Sequence, residues 1–154
     1  MLAMDRRGFL LGEEVVKMVV AAICLGFLIY FLTSLYFTKL HDEKLQQARA
    51  TLERVSEIIA DKDVEEASID MVNPSGWYVF GFAGEGLKPN NCLGKDCLCI
   101  CPKVLFRSQE KTCDRKGVCI VVEGLNPFLP FKIKSGGRTS ILINKINGIN
   151  VREK

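Results

Sequence analysis

One uninterrupted apolar run near the N-terminus limits what this chain can fold into. Residues 18–38 read MVVAAICLGFLIYFLTSLYFT, which is 21 residues without a charge. As a helix this run is roughly 31 Å long, enough for one bilayer crossing. The rest of a 154-residue chain is too small to cover a helix that is apolar on every side. The run therefore predicts one transmembrane helix in contact with membrane lipid.

The composition fits an anchor followed by one small domain. Apolar residues make up 48% of the chain and charged residues 25%, which excludes an intrinsically disordered protein. The 21 basic and 18 acidic residues give a net charge of only +3. This balance is too even for the electrostatic footprint of a nucleic-acid binder, so we expect no nucleic acid as a partner.

Charges and cysteines on either side of the apolar run predict its orientation. Arg6 and Arg7 precede the run closely, whereas residues 39–44 after it are mixed in sign. The positive-inside rule then favours a cytoplasmic N-terminus and an extracellular C-terminal domain. Six of the seven cysteines follow the run, as expected for a domain that folds in an oxidising compartment. No small-residue cleavage site follows the run, so we expect it to remain as a single-pass anchor of the cytoplasmic membrane.

The residues before the run form a recognisable pattern: Arg6, Arg7 and Gly8 end a short basic leader, Phe9 follows, and Glu13 is the fifth residue after the glycine. This pattern resembles the class III signal peptide of type IV pilin-like proteins, which prepilin peptidase cuts on the cytoplasmic side after the glycine. The resemblance implies that Phe9 becomes the mature N-terminus. It also implies that Glu13 neutralises the N-terminal amine of a neighbouring subunit in a filament, where a carboxylate in hydrocarbon needs a cation.

A second resemblance covers the whole chain. Its RGF-x-x-x-EE opening, its Gly-Trp-Tyr at 76–78 and its Cys-x-Cys-x-Cys run are similar to those of a group of archaeal single-pass membrane proteins. That resemblance implies an archaeal cell envelope and no particular activity. Within the apolar run, Ala22 and Gly26 have the spacing that lets two helices approach closely, and they are candidate assembly residues.

A plainer interpretation of the N-terminal residues stays open. Glu14 and Lys17 add charges where a pilin normally continues apolar. Glu13 and Lys17 also have the i, i+4 spacing of a helical ion pair, and the two arginines then serve only to set the topology. Under this interpretation the protein is a simple membrane tether.

The pattern beyond the run predicts an α+β protein with three segments: a leader at 1–8, a long helix at 9–61 and a small cysteine-rich β domain at 62–154. No proline or glycine interrupts residues 27–73. Apolar residues recur there at helical steps of 3 and 4, which gives the long helix an amphipathic second half. This stripe either packs on the domain or pairs with another copy as a coiled coil. Its members are Leu45, Ala48, Leu52, Val55 and Ile59.

Short runs separated by turn signals predict five to seven antiparallel strands after residue 63. The candidates are 67–72, 77–82, 97–101, 118–122, 131–134, 140–146 and 149–152. The last three are expected to form a closing meander, with Asn147-Gly148 as a hairpin turn. Trp77, the single tryptophan, is expected in the core rather than in a ligand site.

The cysteines of the domain have the spacing C-x4-C-x-C-x-C-x11-C-x5-C. If 97–101 is a strand, its three cysteines share one face and are poorly placed to pair with each other. Each then needs a partner outside the strand, which leaves six of the fifteen possible pairings. We therefore predict three disulfides that stabilise a domain with a thin core. The candidates are Cys92, Cys97, Cys99, Cys101, Cys113 and Cys119.

The sequence gives little support for a metal site or for an enzyme. Zinc and iron–sulfur sites favour C-x2-C steps, which are absent here, so we expect no metal and no cofactor. The chain has one histidine and no phosphate-binding loop or nucleophile elbow, so we expect no enzyme. The leading function is a pilin-like structural subunit of an archaeal filament or envelope assembly, with prepilin peptidase and other pilin-like subunits as partners. The alternatives are a monomeric tethered binding module and a cysteine metal or redox site.

Overall fold

The computed structural model describes residues 6–105, 108–135 and 137–154, with side chains described from residue 14 onward. The α+β architecture predicted from the sequence is confirmed. A long first helix, α1 at Arg6–Ala60, is followed by antiparallel β-sheets that carry three disulfides. The chain divides into two compact units, Met1–His41 and Asp42–Lys154, and α1 contributes residues to both.

The first unit contains the apolar part of α1. Every described side chain from Glu14 to Leu40 is exposed, including the large apolar ones. Among the described residues α1 is the one helix that is long and apolar enough to cross a membrane, judged by length and composition. None of its most apolar stretch is covered by the rest of the chain.

The described residues of the second unit form seven strands in two sheets. The strands are β1 (Glu66–Met71), β2 (Tyr78–Phe82), β3 (Cys97–Cys101), β4 (Val118–Val121), β5 (Phe131–Lys132), β6 (Thr139–Asn144) and β7 (Asn150–Glu153). One sheet has the order β1-β6-β7 and the other the order β4-β3-β2-β5. All paired strands in both sheets are antiparallel.

The predicted closing meander is partly wrong. β6 and β7 do form a hairpin, and Asn147 and Gly148 have the positive φ angles that its turn requires. β5, however, pairs with β2 in the four-stranded sheet. The reason is burial: Phe131 in β5 packs into the main core beside Val79 of β2, which is its direct partner in the register.

A second helix, α2 at Gln109–Lys116, lies in a segment that the sequence pattern suggests is loop. Its residues, QEKTCDRK, carry no apolar stripe, so the usual periodic signal is missing. Only Thr112 and Cys113 are buried in it. The described residues also include a short 3₁₀ turn at Asn90–Cys92.

The amphipathic half of α1 packs on the domain, which confirms the first of the two expectations for its stripe. Ala48, Leu52 and Val55 are at most 1% exposed. They share one cluster with Trp77 and with residues of both sheets: Ile69, Met71, Val79, Leu98, Ile100, Ile141, Ile143 and Val151. Trp77, expected in the core, is 5% exposed there.

The C-terminus of α1 is held by a lysine from the loop after β6. The last carbonyls of a helix have no partner within the helix, and α1 has no basic residue in its last turn. Lys145 Nζ donates hydrogen bonds to the carbonyl oxygens of Ile59, at 3.4 Å, and of Asp61. Its positive charge also suits the negative end of the helix dipole.

We expect Lys145→Met to lower the free energy of unfolding of the full chain by about 1 kcal/mol, because carbonyls at the helix end lose a charged donor. Thermal unfolding in detergent micelles measures the change. Lys134→Met is the matched control: Lys134 is 64% exposed and forms a surface ion pair with Glu153, worth less than about 0.5 kcal/mol. Equal effects of the two substitutions would refute the role given to Lys145.

Candidate functional site

The four-stranded sheet has two faces of different chemistry. On one face Val79, Leu98 and Ile100 belong to the main core that α1 covers. On the other face the alternating residues of the same strands are aromatic rings and cysteines. We call this second surface the cysteine face; it consists of Tyr78, Phe80, Phe82, Cys92, Cys97, Cys99, Cys101, Cys113 and Cys119.

All six cysteines of the domain form disulfides on the cysteine face. Each of the three cysteines of β3 pairs with a cysteine outside that strand, as the alternation of side chains requires. The pairs are Cys92–Cys97, Cys99–Cys119 and Cys101–Cys113. Cys99 and Cys119 are directly opposite each other in the β3–β4 register.

Two local structures bring the flanking cysteines to β3. Leu93 and Gly94, which follow the 3₁₀ turn, both have positive φ, and the chain reversal there places Cys92 beside Cys97. Helix α2 carries Cys113 and ends at Gly117. A side chain at Gly117 would meet Cys101 Cβ at 2.4 Å and the carbonyl oxygens of Cys113 and Ile100 at 2.9 Å. Only glycine fits between α2 and β3 at this point.

Asp114 joins α2 to the 3₁₀ turn. Its carboxylate accepts hydrogen bonds from Asn90 Nδ2 and from the backbone N–H of Asn91, each at 2.9 Å. Asn91 Nδ2 also donates to the Asp114 carbonyl oxygen at 3.2 Å. These contacts hold the two elements that supply Cys92 and Cys113 in fixed positions next to the sheet.

Gln109 is the polar neighbour of the third disulfide. Its Nε2 atom lies 3.5 Å from Cys101 Sγ and 3.6 Å from Cys113 Sγ, and it donates to the Pro102 carbonyl at 2.9 Å. Its Oε1 accepts from the backbone N–H of Val104 at 3.2 Å. The amide therefore orders the chain after β3 and covers the Cys101–Cys113 bond. No spacing rule in the sequence singles out Gln109, because its contacts depend on the helix that the pattern misses.

The other two disulfides lie against each other. Cys97 Sγ and Cys99 Sγ are 3.9 Å apart. The sulfurs of Cys92, Cys99 and Cys119 all lie within 4.8 Å of one another. Cys92, Cys97 and Cys99 are fully buried, whereas Cys119 is half-buried. Four sulfurs from two disulfides thus converge at one place on the cysteine face.

Asp96 organises the loop between β2 and β3 at the edge of the cysteine face. Its Oδ1 accepts hydrogen bonds from Lys88 Nζ at 2.8 Å and from the Gly84 N–H at 3.1 Å. Lys88 Nζ also donates to the Gly94 carbonyl at 3.2 Å. The hydrogen bond from Lys88 is the main reason that the pKa of Asp96 lies below its ordinary value, and partial burial of the carboxyl opposes it.

The lowered pKa of Asp96 predicts that its contribution to the stability of the protein depends on pH. The folded-state pKa of Asp96 is lower than its unfolded-state pKa of about 3.9, so its contribution to stability is fully present above that value. The contribution is lost as the pH falls through the lower, folded-state pKa. We expect the difference in unfolding temperature between wild type and Asp96→Asn to shrink on acidification below about pH 4. Thermal unfolding over a pH series measures it, with Glu85→Gln in the same loop as control; a constant difference would contradict the prediction.

The sequence-predicted residues of the N-terminus lie elsewhere. Arg6, Arg7, Gly8, Phe9 and Glu13 are within α1, and their side chains are outside the described part of the structure. Ala22 and Gly26 lie four residues apart on α1, and both are exposed.

Two basic residues near the cysteines have partners on the surface of the domain. Lys103 Nζ lies over the Tyr78 ring, 5.3 Å from its centroid, and Lys95 Nζ forms an ion pair with Glu123 at 2.9 Å.

Comparison with known proteins assigns no relative to this chain. No protein-family model matches it, no curated protein is significantly similar in sequence, and no solved structure is significantly similar in fold. The functional interpretation accordingly depends on three features of the chain: the apolar helix, the cysteine face and the pattern of its N-terminal residues.

Proposed function

We propose that the protein is a pilin-like structural subunit of a cell-surface filament or envelope assembly, anchored in the cytoplasmic membrane by α1. One observation carries this proposal. A single helix has an uncovered apolar first half, while its second half is buried on a small disulfide-linked β domain at Ala48, Leu52 and Val55. A helix that is partly anchor and partly domain core suits a subunit that assembles through its apolar half.

The cysteine chemistry supports export of the domain. Three disulfides persist in an oxidising compartment, and a domain with so small a core needs such cross-links. Arg6 and Arg7 on the other side of the apolar run favour a cytoplasmic N-terminus. The proposed topology is a cytoplasmic leader, one transmembrane segment at 18–38 and an extracellular domain.

The proposed assembly involves residues 9–38. Prepilin peptidase removes the leader after Gly8, and the new amine of Phe9 is neutralised by Glu13 of a neighbouring subunit, because a carboxylate within hydrocarbon needs a cation. Ala22 and Gly26 allow neighbouring helices to approach closely. In this proposal the protein is not an enzyme, and its partners are lipid, the peptidase and other pilin-like subunits.

A second candidate is a monomeric tethered module that binds an envelope ligand. It is favoured by two apolar side chains that the domain leaves in solvent, Leu87 at 82% and Leu93 at 83% exposure, in the loop between β2 and β3. Both leucines line one open pocket, and exposed apolar residues that share a pocket are typical of binding surfaces. This candidate needs neither cleavage nor helix association.

The test compares Glu13→Gln with Glu14→Gln in native membranes, because both substitutions remove one charge from adjacent positions. We expect Glu13→Gln to reduce crosslinked oligomers or filaments by at least about tenfold, which corresponds to about 1.4 kcal/mol of lost pairing energy. We expect Glu14→Gln to assemble normally. Normal assembly of the Glu13→Gln protein would refute the role of Glu13, and a wild type that is monomeric in the membrane would favour the tethered module.

A further inference from the structure

Two disulfides, Cys92–Cys97 and Cys99–Cys119, lie against each other on the cysteine face and bring four sulfurs to one place. Zinc binds four cysteine sulfurs tetrahedrally at about 2.3 Å, which places the sulfurs about 3.8 Å from one another. Cys97 Sγ and Cys99 Sγ are 3.9 Å apart, and the sulfurs of Cys92, Cys99 and Cys119 lie within 4.8 Å of one another. The fold therefore brings the four cysteines together, and after reduction the two sulfurs of each former disulfide must separate to about 3.8 Å to surround the cation.

The same distances argue against attack of the Cys99 sulfur on the Cys92–Cys97 disulfide. For the Cys99 sulfur to attack Cys97 in line, it must lie on the extension of the Cys92–Cys97 bond. With a disulfide bond of about 2.05 Å, Cys99 Sγ would then be about 6 Å from Cys92 Sγ. It is within 4.8 Å of that atom, so it lies beside the bond rather than behind it. Cys99 is therefore poorly placed for that exchange, whereas the sulfurs of Cys92, Cys99 and Cys119 are close enough together to reach one cation.

We propose that reduction of the Cys92–Cys97 and Cys99–Cys119 disulfides converts this cluster into a site for one thiophilic, tetrahedral cation such as Zn²⁺. A dithiol reductant supplies two electrons and two protons to each disulfide; the S–S bond breaks, two thiols form, and the dithiol becomes a disulfide. The cation then replaces the thiol protons, up to four of which go to solvent. The bound cation compensates the cost of burying thiolates, which is large for an unpaired charge.

The burial of the cysteines predicts which disulfide is reduced first. Cys119 is the half-buried member, so a reductant reaches the Cys99–Cys119 bond first. The Cys101–Cys113 disulfide stands apart from the group and has Gln109 as its polar neighbour. In either redox state it supplies no ligand to the cation. The inference concerns the domain alone and holds whether or not the protein assembles into a filament.

The test uses the full chain in detergent micelles, reduced with a phosphine under anaerobic conditions and titrated with Co²⁺ as the probe. We expect one equivalent of Co²⁺ to bind, with the thiolate-to-metal charge-transfer absorption and the visible bands of a tetrahedral site. Two double variants each remove one disulfide: Cys99→Ser/Cys119→Ser, which removes ligands, and Cys101→Ser/Cys113→Ser as the matched control. Because loss of an outer-shell contact already weakens metal sites by about 10- to 100-fold, we expect the first variant to bind more than about 100-fold more weakly. We expect the control to bind like wild type.

A second readout on the wild-type chain does not depend on how a variant folds. Metal-loaded reduced protein is treated with an alkylating agent, and the modified cysteines are located by mass spectrometry. We expect protection of Cys92, Cys97, Cys99 and Cys119, and modification of Cys101 and Cys113, whose disulfide the phosphine also reduces and whose thiols bind no metal. Absence of a 1:1 thiolate complex, equal weakening in both variants, or protection of Cys101 and Cys113 instead would overturn the proposal.

Discussion

Replacing Cys99 and Cys119 together with alanine is expected to lower the free energy of unfolding by about 3 kcal/mol. The two residues are 20 apart in sequence, and the entropy that a cross-link removes from the unfolded chain grows with the length of the loop it closes. The bond also joins neighbouring strands β3 and β4 at opposed positions, so its loss frees the edge of the four-stranded sheet. Denaturant or thermal unfolding of the oxidised full chain in micelles measures the change.

The matched control is the Cys92→Ala/Cys97→Ala pair, which removes a disulfide of the same cysteine face. These residues are only 5 apart, so the same loop-closure argument gives about 2 kcal/mol. Cys24→Ala, at an exposed position of α1, should leave the stability of the domain unchanged. If the Cys92→Ala/Cys97→Ala variant lost more stability than the Cys99→Ala/Cys119→Ala variant, native packing rather than loop closure would dominate the contribution of these bonds.

Leu52→Ala is expected to destabilise the domain by about 3 kcal/mol. Leu52 is 1% exposed and is among the largest fully buried side chains, in the cluster that joins α1 to both sheets. Truncation loses its transfer free energy and leaves a cavity that rigid strands on two sheets cannot fill. The same unfolding measurement applies. We also expect faster proteolysis of residues 42–60 of α1, because the helix has lost its main anchor on the domain.

Leu93→Ala is the control for this prediction. Leu93 is 83% exposed, so its truncation should change the free energy of unfolding by no more than about 0.5 kcal/mol. Equal effects of the two substitutions would mean that the buried stripe of α1 contributes little to the stability of the domain. In that case the helix would act only as a tether, contrary to the packing described above.

Regular patterns predicted most of the fold. The bounds of β3 agree with the run 97–101, since alternating cysteines and branched residues form two distinct faces that must both be buried. The same alternation limited the disulfides to six pairings, and the observed set is one of them. The stripe of α1 indicated one packed face, although periodicity alone did not distinguish a domain from a second helix as its partner.

The parts that the sequence did not predict depend on tertiary contacts. Helix α2 has no apolar stripe and is held by Cys113, Asp114 and Gln109, whose partners are distant in the chain or follow β3. Its charge pattern, with Glu110 in the first turn and Arg115 and Lys116 before Gly117, was the one local signal for it. The sheet to which β5 belongs depends on where Phe131 is buried. The convergence of sulfurs from two disulfides likewise follows from the fold and not from any cysteine spacing.

The central claim is that a processed, pilin-like subunit carries an exported, disulfide-linked domain. It is tested most directly by the intact mass of the protein from native membranes, measured with alkylation before and after reduction. We expect the mass of a chain whose first residue is Phe9. We also expect the six cysteines of the domain to resist alkylation until they are reduced. The mass of a chain that begins at Met1 or Leu2 would contradict the processing. Six thiols that react immediately would contradict the disulfides and the orientation.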